Sequence, residues 1–181
     1  VTPHHLLLTD ECAEGYDPVF KVNPPLRTDA DVEALRAGLA EGVIDAVATD
    51  HAPHAVEDKE TEWAHARPGM LGLQQALSVV VATMVETGLL DWRGVADRMS
   101  ARPAAIGRLD GGGLRAQGRP LAPGEPANLL LLDPGTRAVV DPSALASRSR
   151  NSPYAGRELP GRVVATFLRG MATVLDGKAV K

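Results

Sequence analysis

The stretch Ala48-Thr49-Asp50-His51-Ala52-Pro53-His54 joins an apolar run to a loop that carries ionisable side chains. Residues 43–48 are mostly small or β-branched and apolar, which predicts a buried strand. The strand would end at Asp50, because Pro53 prevents its continuation. This order places a carboxylate at the carboxyl end of a buried strand and two imidazoles in the loop that follows.

A carboxylate at such a strand end has two interpretations. Catalytic groups of an α/β barrel gather at this end of the strands, and an aspartate there can bind a divalent metal, accept a proton from metal-bound water, or do both. Alternatively, Asp50 only caps the next turn, and His51 and His54 lie on the surface. These seven residues by themselves leave both interpretations open.

Composition limits the class of protein. The chain has 181 residues, of which 44% are hydrophobic, enough for the core of one large domain or two small ones. A net charge of −4 without a basic run argues against nucleic acid or an anionic membrane surface as partner. The single cysteine, Cys12, excludes an internal disulfide and is typical of a reducing cytoplasm. No apolar run approaches the roughly 20 residues of a membrane helix.

The first part of the chain predicts alternating helices and extended segments. A short extended piece at residues 19–22 leads to Asn23-Pro24-Pro25, a stiff segment that suits a fixed ligand contact or a plain turn. Thr28 is a candidate N-cap, with Asp31 completing an imperfect capping box, and Gly42 would end that helix. The predicted order of strand, loop, helix and strand is typical of a βα barrel or an open parallel sheet.

Beyond residue 54 the pattern changes twice. Residues 55–67 are charged and lack an apolar period, which predicts a mobile loop. Apolar residues with helical spacing then run from Leu73 to Met84 and stop at Gly88. A shorter helix should follow Asp91, with one more helical turn over residues 103–109.

The composition changes again at Gly111-Gly112-Gly113, which sets the predicted boundary between residues 1–110 and 111–181. In the second region Gly and Pro separate short apolar runs at residues 128–132, 138–140 and 163–168. The pairs Gly170-Met171 and Asp176-Gly177 are predicted hairpin turns, so this region should be a small β domain.

Several phrases of the sequence resemble one family when they are taken together. They are Asn23-Pro24-Pro25-Leu26-Arg27 before residues 48–54, and also Thr2-Pro3-His4-His5-Leu6, Pro68-Gly69 before Leu71-Gly72-Leu73, Gly124-Glu125-Pro126-Ala127-Asn128-Leu129 and Ser149-Arg150-Asn151-Ser152-Pro153. With these phrases in this order, the chain resembles the dihydroorotases, cyclic amidohydrolases of the metal-dependent amidohydrolase superfamily. The resemblance covers essentially the whole chain.

The resemblance implies a fold and a set of site residues. Residues 1–110 would be the C-terminal part of a (β/α)8 TIM-type barrel, comprising the end of strand seven, strand eight and their helices. Residues 111–181 would be the C-terminal part of a small β domain. The resemblance implies that Asp50 binds one metal ion and shuttles the proton. It implies that Asn23 and His54 contact substrate and that Pro68 and Gly69 lie against it through their backbone.

The resemblance also implies a binuclear zinc centre, of which this chain supplies one ligand. The family's His-x-His pair does not occur in the sequence, and its ligands from the middle strands have no counterpart here. A single carboxylate holds zinc poorly, since tetrahedral sites use three or four protein ligands. We therefore expect a C-terminal fragment, without an initiator Met, that is inactive by itself.

The reaction implied is that of pyrimidine (UMP) biosynthesis, the reversible cyclisation of N-carbamoyl-L-aspartate to L-dihydroorotate and water. Two alternatives stay open. One is another cyclic amidohydrolase, an allantoinase or a hydantoinase, although Asn23 and His54 favour a dihydroorotase. The other is a non-catalytic scaffold of aspartate carbamoyltransferase, although the presence of Asp50 and His54 argues against a decayed site. We expect a cytoplasmic homodimer, with aspartate carbamoyltransferase as a further candidate partner.

The remaining histidines and the cysteine receive structural interpretations. His51 should orient the loop beside Asp50. His4 and His5 should pack in the interior rather than bind metal, because the metal-binding histidines of the family come from earlier strands. His65 should be solvated, and Cys12, without a nearby base in sequence, should be inert.

Overall fold

The computed structural model describes residues 1–112 and 116–180, in which short helices are combined with an antiparallel sheet. The helices are α1 (Pro3–Leu7), α2 (Asp29–Glu41), α3 (Val56–Lys59), α4 (Ala76–Val80), α5 (Trp92–Ala96) and α6 (Arg102–Ile106). The strands are β1 (Leu129–Val139), β2 (Glu158–Leu168), β3 (Met171–Leu175) and β4 (Lys178–Ala179). None of the helices described is long and apolar enough to cross a membrane.

Helix α2 confirms the helix predicted after Thr28. The Thr28 hydroxyl accepts a hydrogen bond from the Asp31 amide, and the Asp31 carboxylate accepts one from the Thr28 amide at 3.2 Å, so the capping box is complete. Gly42 ends the helix with φ +84°, a left-handed conformation in which glycine carries no Cβ penalty. These local contacts fix both ends of the helix.

The helix predicted from Leu73 begins three residues later, at Ala76. Leu73 is 62% exposed, and its amide donates to the His51 ring instead of joining a helix. Helix α4 then continues as a π-helical turn, Val81–Val85. Helix α5 begins after Asp91, whose side chain accepts from the Gly94 amide, and it continues through a π-helical segment, Asp97–Ala101, into α6. The predicted helical turn near Pro103 is confirmed.

The strand predicted at residues 43–48 is not formed. Its contacts with Val1 consist of the Val1 amino group donating to the Ala46 carbonyl and the Ala48 amide donating to the Val1 carbonyl, each at 2.9 Å. The Val47 amide turns instead to the Arg98 carbonyl. A strand requires a continuous ladder with a neighbour, and the pairing here stops after one residue. The extended piece predicted at residues 19–22 is also wrong, because Pro18–Phe20 form a 3₁₀ turn capped by Asp17.

Two apolar clusters meet at helix α4. Val79 belongs to the cluster that contains Leu8, Met70, Tyr154 and Leu159, whereas Val80 belongs to the cluster that contains Leu6, Leu39, Met84 and Val95. Both valines are fully buried, and burying such a side chain contributes about 1.5–3 kcal/mol. The first cluster includes residues 154 and 159, so the segment before β2 and the beginning of β2 pack against the N-terminal part of the chain.

The sheet has the strand order β1-β2-β3-β4, with every neighbouring pair antiparallel. Both hairpin turns place two successive residues in the left-handed region. Asp176-Gly177 is confirmed, with φ values of +50° and +74°. The first turn is Arg169-Gly170 rather than Gly170-Met171, since Met171 already pairs with Leu168. Gly113, one of the three glycines at the predicted boundary, lies outside the described residues.

Candidate functional site

Segment 51–54, directly after Asp50, lies side by side with segment 68–73. His51 forms a parallel bridge with Met70, and the Ala52 amide donates to the Met70 carbonyl at 3.0 Å. The His51 Nδ1 atom accepts hydrogen bonds from the amides of Gly72 and Leu73, each at 3.2 Å. Because Nδ1 accepts, a neutral ring carries its proton on Nε2. His51 therefore orients the loop, as predicted.

Three of the predicted site residues are in contact. His54 Nε2 donates to the Pro68 carbonyl at 3.1 Å, since a carbonyl oxygen can only accept. Gly69 has φ +134°, and a Cβ added there would lie 2.7 Å from both His54 Nε2 and the Ala52 Cβ. Only glycine permits this approach of the two segments. Residues 68–69 and His54 thus form one surface.

Asn23 is exposed and lies in a segment that is anchored on both sides. The Lys21 carbonyl accepts from the Gly69 amide at 2.8 Å, and the Pro25 carbonyl lies 3.2 Å from His5 Nε2. The first contact joins the Asn23 segment to the surface formed by His54 and residues 68–69. The second joins the segment to helix α1.

Asp50 is exposed and has φ +47°, a left-handed conformation that aspartate tolerates better than most residues. Its carboxylate forms no hydrogen bond or ion pair with the residues that the structure describes. The side chain is therefore available to an outside group. Among the described residues, Asp50 forms no hydrogen bond with Asn23, His54 or Gly69. The residue after it, His51, is held in place by the amides of Gly72 and Leu73.

The described residues do not by themselves assemble a complete metal site. Across residues 1–112 and 116–180, no group of three or more His, Cys, Asp or Glu side chains is placed to hold a metal ion. His5 bonds to Thr2 and to Pro25. His4 is fully buried, and neither of its ring nitrogens has a partner among the described residues. Burial, together with the charge of His5, lowers the pKa of His4 to about 3, so it is neutral at pH 7. Both histidines pack in the interior, as predicted.

Lys59 organises the segment predicted as a loop, and the pattern of residues 55–67 had not singled it out. It ends helix α3 and is only 7% exposed. Its ammonium donates to the carbonyls of Pro18 at 2.7 Å, Arg67 at 2.9 Å and Lys21 at 3.4 Å. Burial, and then the positive charge of Lys21, lower the pKa of Lys59 to about 8. A single lysine thus ties residues 59 and 67 to residues 18–21.

Asn151 is a second residue whose role the sequence had not indicated, although it stands in the phrase Ser149-Arg150-Asn151-Ser152-Pro153. Its side chain is buried and bonds to both neighbouring segments. Its Nδ2 atom donates to the Ala52 carbonyl at 2.9 Å and to the Gly69 carbonyl at 3.3 Å, while its Oδ1 accepts from the His54 amide at 3.3 Å. Together with His54 and Lys59 it lines a cavity of about 180 Å³.

Comparison with solved structures identifies the class of protein. The chain resembles an L-hydantoinase (dihydropyrimidinase) from Arthrobacter aurescens with a TM-score of 0.90 and 32% identity, covering 99% of this chain and 40% of that one. A D-hydantoinase from Thermus sp. gives a TM-score of 0.85 and 26% identity, over 98% of this chain and 39% of that one. No protein-family model matches the chain. The fold is that of a corresponding part of amidohydrolases of the hydantoinase type.

Sequence comparison then points to a particular enzyme. The chain is 66% identical over 178 residues to the dihydroorotase of Streptomyces coelicolor, 56% over 181 residues to that of Leifsonia xyli subsp. xyli, and 58% over 178 residues to that of Mycobacterium tuberculosis. These matches cover 98–100% of the chain. The chain is thus related to the dihydroorotases along essentially its whole length, which confirms the resemblance. It spans about 40% of the length of these relatives.

Proposed function

We propose that this chain is part of a dihydroorotase, which interconverts N-carbamoyl-L-aspartate with L-dihydroorotate and water in pyrimidine biosynthesis. The observation that carries the proposal is the assembly of His54, Pro68 and Gly69 into one surface that follows the exposed Asp50. This assembly occurs in a chain that is 66% identical to a dihydroorotase. The substrate is a small molecule with a carboxylate and a ring of amide groups, which a few polar side chains can orient.

We further propose that residues 1–110 are the C-terminal part of a (β/α)8 barrel and residues 111–181 the C-terminal part of a small β domain. Two parallel bridges, Thr9 with Arg27 and His51 with Met70, support the barrel, because its neighbouring strands run parallel. The antiparallel sheet from β1 to β4 supports the separate β domain.

Asp50 is the proposed catalytic residue and the proposed zinc ligand of this chain. Two zinc ions per complete site, when bound, would supply hydroxide near neutral pH by lowering the pKa of water. The exposed Asp50 carboxylate accepts the proton that the ring-opening attack releases and delivers it to the leaving ring nitrogen. In the biosynthetic direction it takes a proton from the carbamoyl nitrogen. This chain carries one ligand of the site, so we expect it to bind zinc weakly and to be inactive by itself.

Asn23, His54, Pro68 and Gly69 form the proposed substrate-binding surface. The amide of Asn23 can bond to the carboxylate of the substrate, and His54 Nδ1, the acceptor left by the bond from Nε2 to Pro68, can accept from an N–H at the ring edge. The backbone at residues 68–69 lies against the ring, and the missing side chain of Gly69 lets His54 approach this backbone closely. The anchoring of Lys21 to Gly69 supports the joint action of Asn23 with this surface.

A hydantoinase is the second candidate, and the TM-score of 0.90 with the Arthrobacter aurescens enzyme favours it. The identity of 32% to that enzyme against 66% to a dihydroorotase makes dihydroorotase the better proposal. A non-catalytic scaffold is less well supported, because the exposed carboxylate of Asp50 and the contacts of His54 are both present. Association as a homodimer and with aspartate carbamoyltransferase, in the cytoplasm, completes the proposal.

A hybrid enzyme tests the proposal. The segment of the Streptomyces coelicolor dihydroorotase that matches this chain is replaced by residues 1–181, and turnover of dihydroorotate and of hydantoin is measured. We expect turnover of dihydroorotate only. Turnover of hydantoin alone would favour the second candidate. A folded, zinc-loaded hybrid without any turnover would contradict the dihydroorotase assignment.

Substitutions in the same hybrid test the residue roles. Asn23→Ala and His54→Ala should raise KM for dihydroorotate and leave the zinc content unchanged, because both side chains are assigned to substrate. His65→Ala is the matched control, since His65 is an exposed histidine in the same loop region. Loss of zinc from either site variant would contradict the substrate role.

A further inference from the structure

We propose that Asn151 is a positioning residue of the substrate site, which sets the place of His54 relative to Pro68 and Gly69. This inference rests on the proposed function. The inference adds to that function, because Asn151 comes from a segment some 80–100 positions further along the chain and does not belong to the assigned substrate surface. Its side chain is 5% exposed and bonds to both segments of that surface.

The orientation of the Asn151 amide follows from its partners. The carbonyls of Ala52 and Gly69 can only accept, so the atom that faces both of them is the Nδ2 donor. The His54 amide can only donate, so the opposite atom is the Oδ1 acceptor. Both N–H groups and one lone pair of the amide are therefore used, and a rotated amide would lose all of these bonds.

The hydrogen bonds of the Asn151 side chain follow the pattern that a neighbouring parallel strand would make. In a parallel sheet, one residue donates to the carbonyl of one residue on its neighbour and accepts from the amide two positions later. Asn151 does the same with its side chain, donating to residue 52 and accepting from residue 54. The main-chain carbonyl of Asn151 accepts from the Leu71 amide at 3.0 Å. One residue thus fixes the spacing between the segments 52–54 and 69–71.

The consequence for the site concerns His54. Its ring donates to the Pro68 carbonyl at 3.1 Å, and this contact depends on the register between the two segments. Without the Asn151 side chain, the carbonyls of Ala52 and Gly69 and the amide of His54 lose a partner in a buried place. The segments are then expected to shift or to admit water, and a misplacement of about 1 Å can cost about 100-fold in rate. Because His54 is assigned to binding, the loss should appear mainly in KM.

The test uses Asn151→Ala and Asn151→Asp in the hybrid enzyme. We expect KM for dihydroorotate to rise about 10-fold or more in both variants, with kcat changed less and the zinc content unchanged. Asn151→Asp should be the more damaging, because it keeps the acceptor but turns carboxylate oxygen toward two carbonyls. Asn128→Ala is the matched control, since Asn128 also bonds to two backbone groups, the Ala116 carbonyl and the Arg169 amide, but in the β region. It should leave KM unchanged.

A double-mutant cycle separates positioning from a general structural role. In the His54→Ala background, Asn151→Ala should raise KM by less than threefold further, because the residue that it positions is gone. Full additivity of the two effects would overturn the proposal. So would an unchanged KM in Asn151→Ala with only a lower melting temperature.

Hydrogen exchange gives a readout that does not depend on activity. The His54 amide bonds to the Asn151 side chain, whereas the Leu71 amide bonds to the Asn151 main chain. Asn151→Ala should therefore raise the exchange rate of the His54 amide by at least 10-fold. The exchange rate of the Leu71 amide should stay nearly unchanged. Equal protection of His54 in both proteins would overturn the positioning role. A hybrid that fails to turn over dihydroorotate while His54 loses protection would instead refute the proposed function alone.

Discussion

The sheet of residues 129–180 and the pair of segments at residues 51–54 and 68–72 are held together in different ways. In the sheet, neighbouring strands pair through their main chains, and the turns of β2-β3-β4 consist of two residues each. In the paired segments, side chains from His51 and Asn151 bond to the main chain. Lys59 joins the same region to residues 18–21. The sheet is built from repeated local contacts, whereas the candidate site depends on single side chains with distant partners.

The largest effect on turnover should come from Asp50, whose side chain takes part in neither the main-chain pairing nor the side-chain contacts. Asp50→Asn in the hybrid enzyme keeps the size of the side chain but removes the proton acceptor. We expect turnover of dihydroorotate to fall by about 10²–10⁴-fold, the range for lost general acid–base catalysis. Zinc analysis separates loss of the proton shuttle, which retains both ions, from loss of ligation. Near-normal turnover with full zinc would mean that Asp50 neither moves the proton nor binds zinc.

Gly69 and Gly170 compare the two regions directly, since both have positive φ. Gly69→Ala would place a Cβ 2.7 Å from two atoms of the paired segment, whereas a Cβ at Gly170 meets nothing within 4 Å. We expect a loss of roughly 2–5 kcal/mol in the free energy of unfolding for Gly69→Ala, from strain and overpacking. Gly170→Ala should lose about 1 kcal/mol, from conformation alone. Equal losses by chemical denaturation would contradict the close approach at Gly69.

The sequence could predict what depends on local chemistry. The capping box at Thr28 and the turn at Asp176-Gly177 each depend on residues within a few positions, and both were predicted. A strand was also predicted at residues 43–48, but it is not formed, because a strand exists only through its neighbours and only Val1 pairs with this segment. The assignment of His54 and residues 68–69 to one substrate site came only from the family resemblance, and their direct contact was not predicted. The roles of Lys59 and Asn151 had no local pattern, since their partners lie far along the chain.

Lys59→Met tests the tie between residues 55–67 and residues 18–21. The methionine fills the space but leaves three carbonyls without their donor, so we expect a loss of about 2–3 kcal/mol in the free energy of unfolding at pH 7. The mobility predicted for residues 55–67 can be measured in the same proteins. Their amides should exchange faster than those of residues 73–85, and faster still in Lys59→Met. Lys178→Met, at an exposed lysine of strand β4, is the matched control and should change neither quantity.

The pH dependence of the free energy of unfolding, compared between the parent hybrid and Lys59→Met, shows how the protonation of Lys59 affects stability. Folding lowers the pKa of Lys59 from 10.5 to about 8, so between these values the unfolded chain holds more protons than the folded chain. The free energy of unfolding should therefore rise with pH across this window in the parent hybrid, relative to Lys59→Met. A difference between the two proteins that stays constant from pH 7.5 to 10 would mean that Lys59 is solvated rather than buried.

The titration of His4 should change the free energy of unfolding least near neutral pH and more at acidic pH. Its pKa is lowered from 6.5 to about 3, first by burial and then by the charge of His5. Below pH 6.5 His4 binds a proton in the unfolded chain but stays neutral in the folded chain until the pH approaches 3. Stability should therefore fall as the pH falls, by at most about 1.4 kcal/mol per pH unit from this residue.

His4→Phe removes that proton and also the two ring nitrogens that have no partner among the described residues. At pH 7.5 the larger phenyl ring has to fit a fully buried place, so we expect the variant to be less stable than the parent hybrid by about 1–3 kcal/mol. Between pH 7.5 and pH 5.5 this difference should shift by roughly 1 kcal/mol in favour of the variant, measured by chemical denaturation. His65→Phe, at an exposed histidine, should show no such divergence. If His4→Phe and the parent kept a constant difference between these pH values, His4 would have to gain its proton in the folded chain, through a partner or through water that reaches the ring.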